Sequence, residues 1–158
     1  MLFRSFVCLS EQYQHLDAPK LNVAWFDIEV DFDPERGYAA PDDAFMPITA
    51  VAVHLQWLDT LVCLAIPPKT LTMEQALEQV KEFPNTHLFK TEKELLNAFL
   101  DLIEDADVLS GWNSEGFDIP YIVNRVTKVL SKNDTRRFCL WNEFPRRREY
   151  EKYGKEAV

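Results

Sequence analysis

The sequence predicts an α/β domain built around a sheet of mixed strand direction. Three strand-like segments follow one another between residues 21 and 66, and helix-like and strand-like segments then alternate. Successive strands favour antiparallel pairing and strands separated by helices favour parallel crossovers, so the combination predicts a mixed sheet flanked by helices. With 158 residues, 47% of them hydrophobic, the chain can bury about two-thirds of its unfolded surface in one core.

The first third of the chain predicts two strands and a long loop. An apolar strand is expected at residues 1–9, a polar stretch at 10–20 and a second strand at 21–30. Residues 31–47 form an acidic loop containing proline and glycine, and loops of this length are uncommon in compact domains. This loop is either a substrate-contacting segment or a mobile surface excursion.

The middle of the chain predicts a hairpin followed by alternating helices and strands. The predicted segments are strands at 48–57 and 60–66, a helix at 74–83, a strand at 86–89 and a helix at 91–104. Thr91 and Glu94 match a capping box at the start of the second helix. Its apolar residues share one face: Leu95, Leu96, Phe99, Leu102 and Ile103.

The last third predicts a short strand, a loop and a third helix. Val108 and Leu109 indicate a buried strand that ends at Gly111. The helix begins at Asp118, with Pro120 in its first turn, where the missing N–H costs nothing. An apolar stripe at helical spacing follows: Ile122, Val126 and Val129.

Two carboxylates stand two residues apart in the strand at 22–30 (NVAWFDIEV). Side chains at i and i+2 of a strand share a face, so Asp27 and Glu29 lie side by side. At about 5 Å and an effective dielectric of about 20 they repel by about 3 kcal/mol. A divalent cation such as Mg²⁺ or Mn²⁺ would offset this cost, because both prefer hard oxygen ligands. The alternative is that both carboxylates simply point to solvent on an edge strand.

Asp118 has two interpretations at this stage. It precedes a predicted helix, where aspartate commonly caps the N-terminus. It also follows the loop after a strand, where it can join the carboxylates of the earlier strand as a ligand.

The two segments together resemble the proofreading exonuclease of family B DNA polymerases. Residues 26–29 (FDIE) are similar to its first exonuclease motif, and residues 111–121 (GWNSEGFDIPY) to its second. The second is most similar to the T-even-type bacteriophage branch and continues into Asn124 and Arg125. The similarity extends from about residue 21 to 130. It implies a ribonuclease H-like fold, with residues 1–20 at the edge of a polymerase N-terminal domain and 21–158 a partial 3′→5′ exonuclease domain.

The resemblance also implies a two-metal site. In the family, four acidic residues hold two Mg²⁺ or Mn²⁺ ions about 4 Å apart, which cleave the phosphodiester at a single-stranded DNA 3′ end. Asp27 would bridge the ions, Glu29 would complete one and Asp118 the other. Asn113 and Phe117 would lie beside the terminal nucleotide, although Phe117 suits ordinary core packing equally well.

One family motif is missing from this sequence. The third exonuclease motif, Tyr-x-x-x-Asp, does not occur after Asp118. We therefore expect an exonuclease portion that is nearly inactive by itself and has the remainder of the polymerase, on the same or a separate polypeptide, as its partner. The alternatives are a single-strand-binding or docking module, and an unrelated ribonuclease H-like protein with a vestigial metal site.

Composition predicts a cytoplasmic protein without a membrane segment. No signal-peptide or membrane-length apolar run is present, and Cys8, Cys63 and Cys139 have no paired spacing. Residues 1–124 carry 7 Lys/Arg and 21 Asp/Glu, whereas residues 125–158 carry 10 and 5. The basic segment, including residues 146–148, either holds phosphate or forms a solvated or interdomain surface.

Overall fold

Five strands form one mixed sheet at the centre of the domain. A computed structural model describes residues 16–147, together with the backbone of 150–152 and 155–157. The strands are β1 (Val23–Val30), β2 (Ile48–Leu55), β3 (Thr60–Ala65), β4 (Thr86–Leu88) and β5 (Val108–Ser110). Their order is β4-β3-β2-β1-β5. β1, β2 and β3 pair antiparallel, while β4 and β5 run parallel to β3 and β1. The mixed sheet predicted from the sequence is confirmed.

Within residues 16–147, three α-helices connect or follow these strands. They are α1 (Met73–Val80), α2 (Glu92–Leu102) and α3 (Asp118–Val129). Short 3-10 helices occur at Gln56–Leu58, Asn133–Phe138 and Leu140–Asn142, and a separate hairpin pairs β6 (Tyr150–Lys152) with β7 (Lys155–Ala157). The strand expected at residues 1–9, and with it Cys8, lies outside the described residues.

Local sequence signals set the helix starts. Thr91 is the N-cap of α2 and forms the predicted capping box with Glu94, and Thr72 forms a second one with Gln75 at α1. Each box satisfies two backbone N–H groups that the first turn leaves without helical partners. Most predicted elements are one to three residues shorter at their ends than the pattern suggested.

The core lies on one face of the sheet. α2 and α3 bury their apolar faces there, and Phe26 of β1 packs against Phe99 of α2 with ring centroids 5.4 Å apart. On β1 the buried residues alternate with exposed ones, which places Asp27 and Glu29 on the face opposite the core. Asp27 and Glu29 therefore project from the side of the sheet opposite this core.

The prediction of a buried strand at Val108 and Leu109 is wrong. β5 is an edge strand, in which Val108 is exposed and Leu109 half-buried. A short apolar run has the same composition in both situations, so periodicity does not separate them. Among the described residues, no helix combines the length and apolar character needed to cross a membrane.

Candidate metal centre

The strand β1 holds its two carboxylates side by side, as predicted. Asp27 and Glu29 lie opposite Ala52 and Ala50 of β2, whose small side chains leave open space beside them. Both carboxylates are exposed. Because water screens exposed charges, their mutual repulsion is below about 1 kcal/mol, less than the sequence estimate assumed.

An irregularity of the sheet adjoins Glu29. The pairing skips from Glu29–Ala50 to Val30–Ile48, so Thr49 is the extra residue of a β-bulge. The Thr49 hydroxyl donates to the Glu29 carbonyl oxygen at 3.2 Å. Bulges redirect nearby side chains and are common beside functional sites.

Asp118 contacts the same strand, β1, although it lies far away in the sequence. It is the first residue of α3, is only 4% exposed, and accepts the N–H of Ile28 on its Oδ1 at 3.2 Å. Ile28 lies between Asp27 and Glu29 in β1, so this bond brings Asp118 to the part of the strand that carries the other two carboxylates. The N-cap is Phe117, without a side-chain capping bond, and the interpretation of Asp118 as a cap is wrong.

The environment of Asp118 disfavours its charged form. Burial raises the pKa of its carboxyl, and the negative charges of Asp27 and Glu29 raise it further, while the Ile28 N–H acts in the opposite direction. A cation bound among the three groups would reverse this balance, because opposite charge favours the carboxylate.

The donor set fits a hard divalent cation. All three groups are carboxylates, the ligands that Mg²⁺ and Mn²⁺ prefer. Within residues 16–147, none of the three forms an ion pair with lysine, arginine or histidine. The described residues contain no cluster of three or more His, Cys, Asp or Glu side chains already arranged around one point. The three carboxylates therefore suit a cation chemically, but the described residues do not arrange them around one point.

The loop between β5 and α3 packs tightly on β1. A Cβ on Gly111 would stand 2.2 Å from the Phe26 carbonyl oxygen, so only glycine permits this approach. Asn113 is exposed and adopts a left-handed conformation with φ 51°. Its Oδ1 would stand 2.6 Å from a Cβ on Gly116. The family resemblance implies a nucleotide contact for Asn113. The structural role of Asn113 in this turn is a second reason for an asparagine at this position.

Phe117 packs inward. It is half-buried against the core and stacks on Tyr121, with centroids 5.2 Å apart and an interplanar angle of 26°. This position agrees with the core-packing alternative and leaves part of the ring accessible.

The long loop after β1 is attached to α3. Tyr121 donates its hydroxyl to the Met46 carbonyl at 2.8 Å, and Asn124 donates to that of Pro41 at 2.8 Å. Phe32 and Tyr38, both exposed, contact each other on the same loop with tilted rings, their centroids 4.9 Å apart and the interplanar angle 54°. Sequence patterns did not indicate these contacts, since hydrogen bonds that span about 80 residues have no local signature.

In the described residues, two arginines of the basic segment contact other residues of that same segment. The guanidinium of Arg136 lies 4.1 Å from the Phe144 ring centroid, and Arg146 lies 3.7 Å from Glu143. Arg147 is exposed, and Arg148 lies outside the described residues.

Known proteins share this sequence pattern. The family model described as the exonuclease domain of DNA polymerase family B matches residues 5–155. The DNA-directed DNA polymerase of Escherichia phage RB69 is 31% identical over 152 residues, which cover 82% of this chain and 16% of that protein. That of Enterobacteria phage T4 is 36% identical over 67 residues, 41% of this chain and 7% of that protein. The DNA polymerase catalytic subunit of Saimiriine herpesvirus 2 is 30% identical over 118 residues, 72% of this chain and 11% of that protein.

Proposed function

Because this chain belongs to the exonuclease domain family of the family B DNA polymerases, we propose that it carries most of a 3′→5′ proofreading site for single-stranded DNA ends. Asp27, Glu29 and Asp118 are the proposed ligands of two divalent ions. The observation that supports the proposal is the hydrogen bond from the Ile28 N–H to Asp118, which joins Asp118 to the strand residue between Asp27 and Glu29.

The proposed role of each carboxylate follows from its position in the fold. Asp27 and Glu29 are exposed on the face of β1 opposite the core, whereas Asp118 is buried and hydrogen-bonded to Ile28 of the same strand. Bound divalent ions in such sites activate an attacking water and stabilise the leaving oxygen of a phosphodiester. Asn113 and the accessible part of Phe117 are proposed to contact the terminal nucleotide, where an aromatic ring stacks on a base for about 1–3 kcal/mol.

The chain spans less than a fifth of the polymerases it matches. DNA polymerisation, the rest of the polymerase as partner, a cytoplasmic location and a boundary near residue 20 are therefore proposals about a larger assembly. The third motif is missing after Asp118, so this chain alone lacks one anionic ligand. A reactant displaced by about 1 Å loses on the order of a hundredfold in rate, and we propose that the isolated chain is nearly inactive.

Metal binding and cleavage test the proposal together. Titration calorimetry with Mn²⁺ should show weak binding that Asp27→Ala and Asp118→Ala abolish. Glu35→Ala is the matched control, because Asp33-Pro34-Glu35 repeats the Asp-x-Glu spacing on an exposed turn. Identical isotherms for all four proteins would refute the site.

The cleavage experiment uses a 3′-labelled single strand with Mn²⁺. Release of mononucleotides should be slight with this chain and rise strongly with a longer polypeptide that reaches a Tyr-x-x-x-Asp segment. Strand binding without cleavage in both proteins would favour the second candidate, a single-strand-binding or docking module, for which the exposed Phe32 and Tyr38 pair is the supporting observation.

A further inference from the structure

A buried ion pair joins α2 to α3. Glu92 is the first residue of α2, Arg125 lies on α3, and each side chain is 11% exposed. Arg125 Nε donates to Glu92 Oε1 at 2.8 Å, and Nη2 donates to Oε2. A two-pronged contact of this kind fixes the orientation of both side chains as well as their separation.

The same pair binds the backbone where the β1–β2 loop meets β2. Arg125 Nη1 donates to the carbonyl oxygens of Ala44 at 3.0 Å and Phe45 at 3.3 Å. Glu92 Oε1 accepts the N–H of Ile48, the first residue of β2, at 2.8 Å. One ion pair thus connects two helices, the loop and a strand.

Ile48 stands beside the bulge that adjoins Glu29. It pairs with Val30, and Thr49 is the extra residue between this pair and Glu29–Ala50. The Glu92 bond holds the far side of the bulge, so it restrains the part of β1 from which Glu29 projects.

Arg125 also restrains the position of α3, the helix that carries Asp118. The two residues are seven apart, or two helical turns, and therefore share one face of α3. Asp118 contacts β1 at Ile28, Tyr121 contacts the loop at Met46, and Arg125 contacts the loop and α2. Because α3 is attached at three points along its length, both its rotation and its sliding along the sheet are restrained.

Stability alone is a weak explanation for such a pair. Buried ion pairs are often replaceable by apolar side chains with no loss of stability, because desolvation consumes the attraction between the charges. Arg125 also supplies no net positive charge to the carboxylate site, since Glu92 neutralises it. The ion pair fixes the orientation of α3 relative to α2 and the loop, which an apolar replacement would not do.

We propose that the Glu92–Arg125 pair is a positioning device that keeps Asp118 beside Asp27 and Glu29. The use of that site rests on the proposed function, whereas the placement of Asp118 does not. Arg125 is a positioning residue, because its hydrogen bonds go to Glu92 and to loop carbonyls.

The test variant is Glu92→Gln/Arg125→Met in the full chain. It removes both charges together, so no buried charge loses its partner, and the amide oxygen of the introduced glutamine keeps an acceptor for the Ile48 N–H. The matched control is Asp101→Asn/Arg137→Met, which neutralises the ion pair between the last turn of α2 and the 3-10 helix at 133–138.

Amide hydrogen exchange is the first readout, and it needs no metal. The Ile28 N–H is bonded to Asp118, whereas Val53 lies in the middle of the β1–β2–β3 ladder. We expect the test variant to lose protection selectively at Ile28 while Val53 stays protected, and the control to lose neither. Equal loss at both amides indicates a general structural role and overturns the proposal, as does unchanged protection at Ile28.

Mn²⁺ affinity is the second readout. Loss of groups that orient metal ligands typically weakens binding about tenfold or more, and we expect this from the test variant, with Arg125→Lys intermediate and the control unchanged. If the unaltered chain binds no Mn²⁺, the proposed function fails, and the exchange result still decides the positioning role. Unweakened Mn²⁺ binding in a test variant that has lost Ile28 protection would overturn the link to the site.

Discussion

At the scale of single residues, Asp118 occupies an electrostatically unfavourable position. It is buried beside two exposed carboxylates and accepts one backbone N–H in compensation. The proposed metal site would account for this arrangement, because sites that serve function often sacrifice stability and a bound cation would offset the buried negative charge.

The first prediction is that Asp118→Asn stabilises the metal-free protein. Asparagine keeps an acceptor for the Ile28 N–H but removes the buried charge, so the free energy of unfolding at neutral pH should rise by about 0.5–2 kcal/mol. The folded-state pKa of Asp118 is raised, so its ionisation opposes folding above that pKa. The penalty disappears as pH falls through the folded pKa towards the unfolded value.

Urea unfolding at several pH values measures this effect. The stability gain of Asp118→Asn should shrink steadily on acidification, and Mn²⁺ binding should be lost at every pH. Asp118→Ala serves as comparison, because it removes the acceptor along with the charge. A variant less stable than the parent at neutral pH would show that Asp118 has a structural role.

Residue positions were predictable only where they depend on local spacing. The shared face of Asp27 and Glu29 follows from the period of a strand. The Ile28–Asp118 bond joins positions 90 residues apart, so it depends on the packing of α3 against β1. The resemblance in the second motif supplied the expectation that Asp118 joins the pair.

At the scale of elements, the contact between β1 and the end of β5 is decisive for the site. β5 pairs with only the first three residues of β1, and Gly111 then passes against the Phe26 carbonyl. Beyond that point the edge of β1 is taken by Asp118 through Ile28. The early end of β5 thus opens the position that the third carboxylate occupies.

The second prediction concerns Gly111→Ala. Its Cβ would stand 2.2 Å from a backbone oxygen next to Asp27, and relieving the clash should cost about 1–3 kcal/mol of stability. We also expect weaker Mn²⁺ binding, because β1 must move to make room. Gly37→Ala is the control, since it has open space around the Cβ but a φ of +78°, and it should cost about 1–2 kcal/mol without any change in Mn²⁺ binding.

Chemical denaturation and calorimetry on both variants separate these effects. Equal Mn²⁺ affinities in the two proteins would mean that the β1–β5 contact does not position the site.

Elements were predicted well where caps and periodicity mark them, as at Thr91 in α2. The exposure of β5 was missed because a short apolar run contains no information about a neighbouring strand.

At the scale of the whole molecule, the order of elements was enough to predict a mixed sheet, since it separates hairpin strands from crossover strands. The order did not reveal which face of β1 packs against the core and which face carries the exposed Asp27 and Glu29. Charge is also divided along the chain, with a net negative body in residues 1–124 and a net positive segment in 125–158. The proposed single-stranded DNA substrate is a polyanion, and a cationic segment near the acidic site would favour its binding.

The third prediction is that Arg146 and Arg147, both exposed, contact backbone phosphate. Each phosphate contact to a single strand contributes about 0.7 to the slope of log affinity against log salt. Arg146→Ala/Arg147→Ala should therefore flatten the slope by about 1.4, measured by fluorescence anisotropy of a short labelled strand between low and moderate salt. Lys81→Ala/Lys93→Ala removes the same charge from exposed positions at the end of α1 and on α2. An equal change in both variants would reduce the effect to net charge, and an unchanged slope in the arginine variant would identify the segment as a solvated surface.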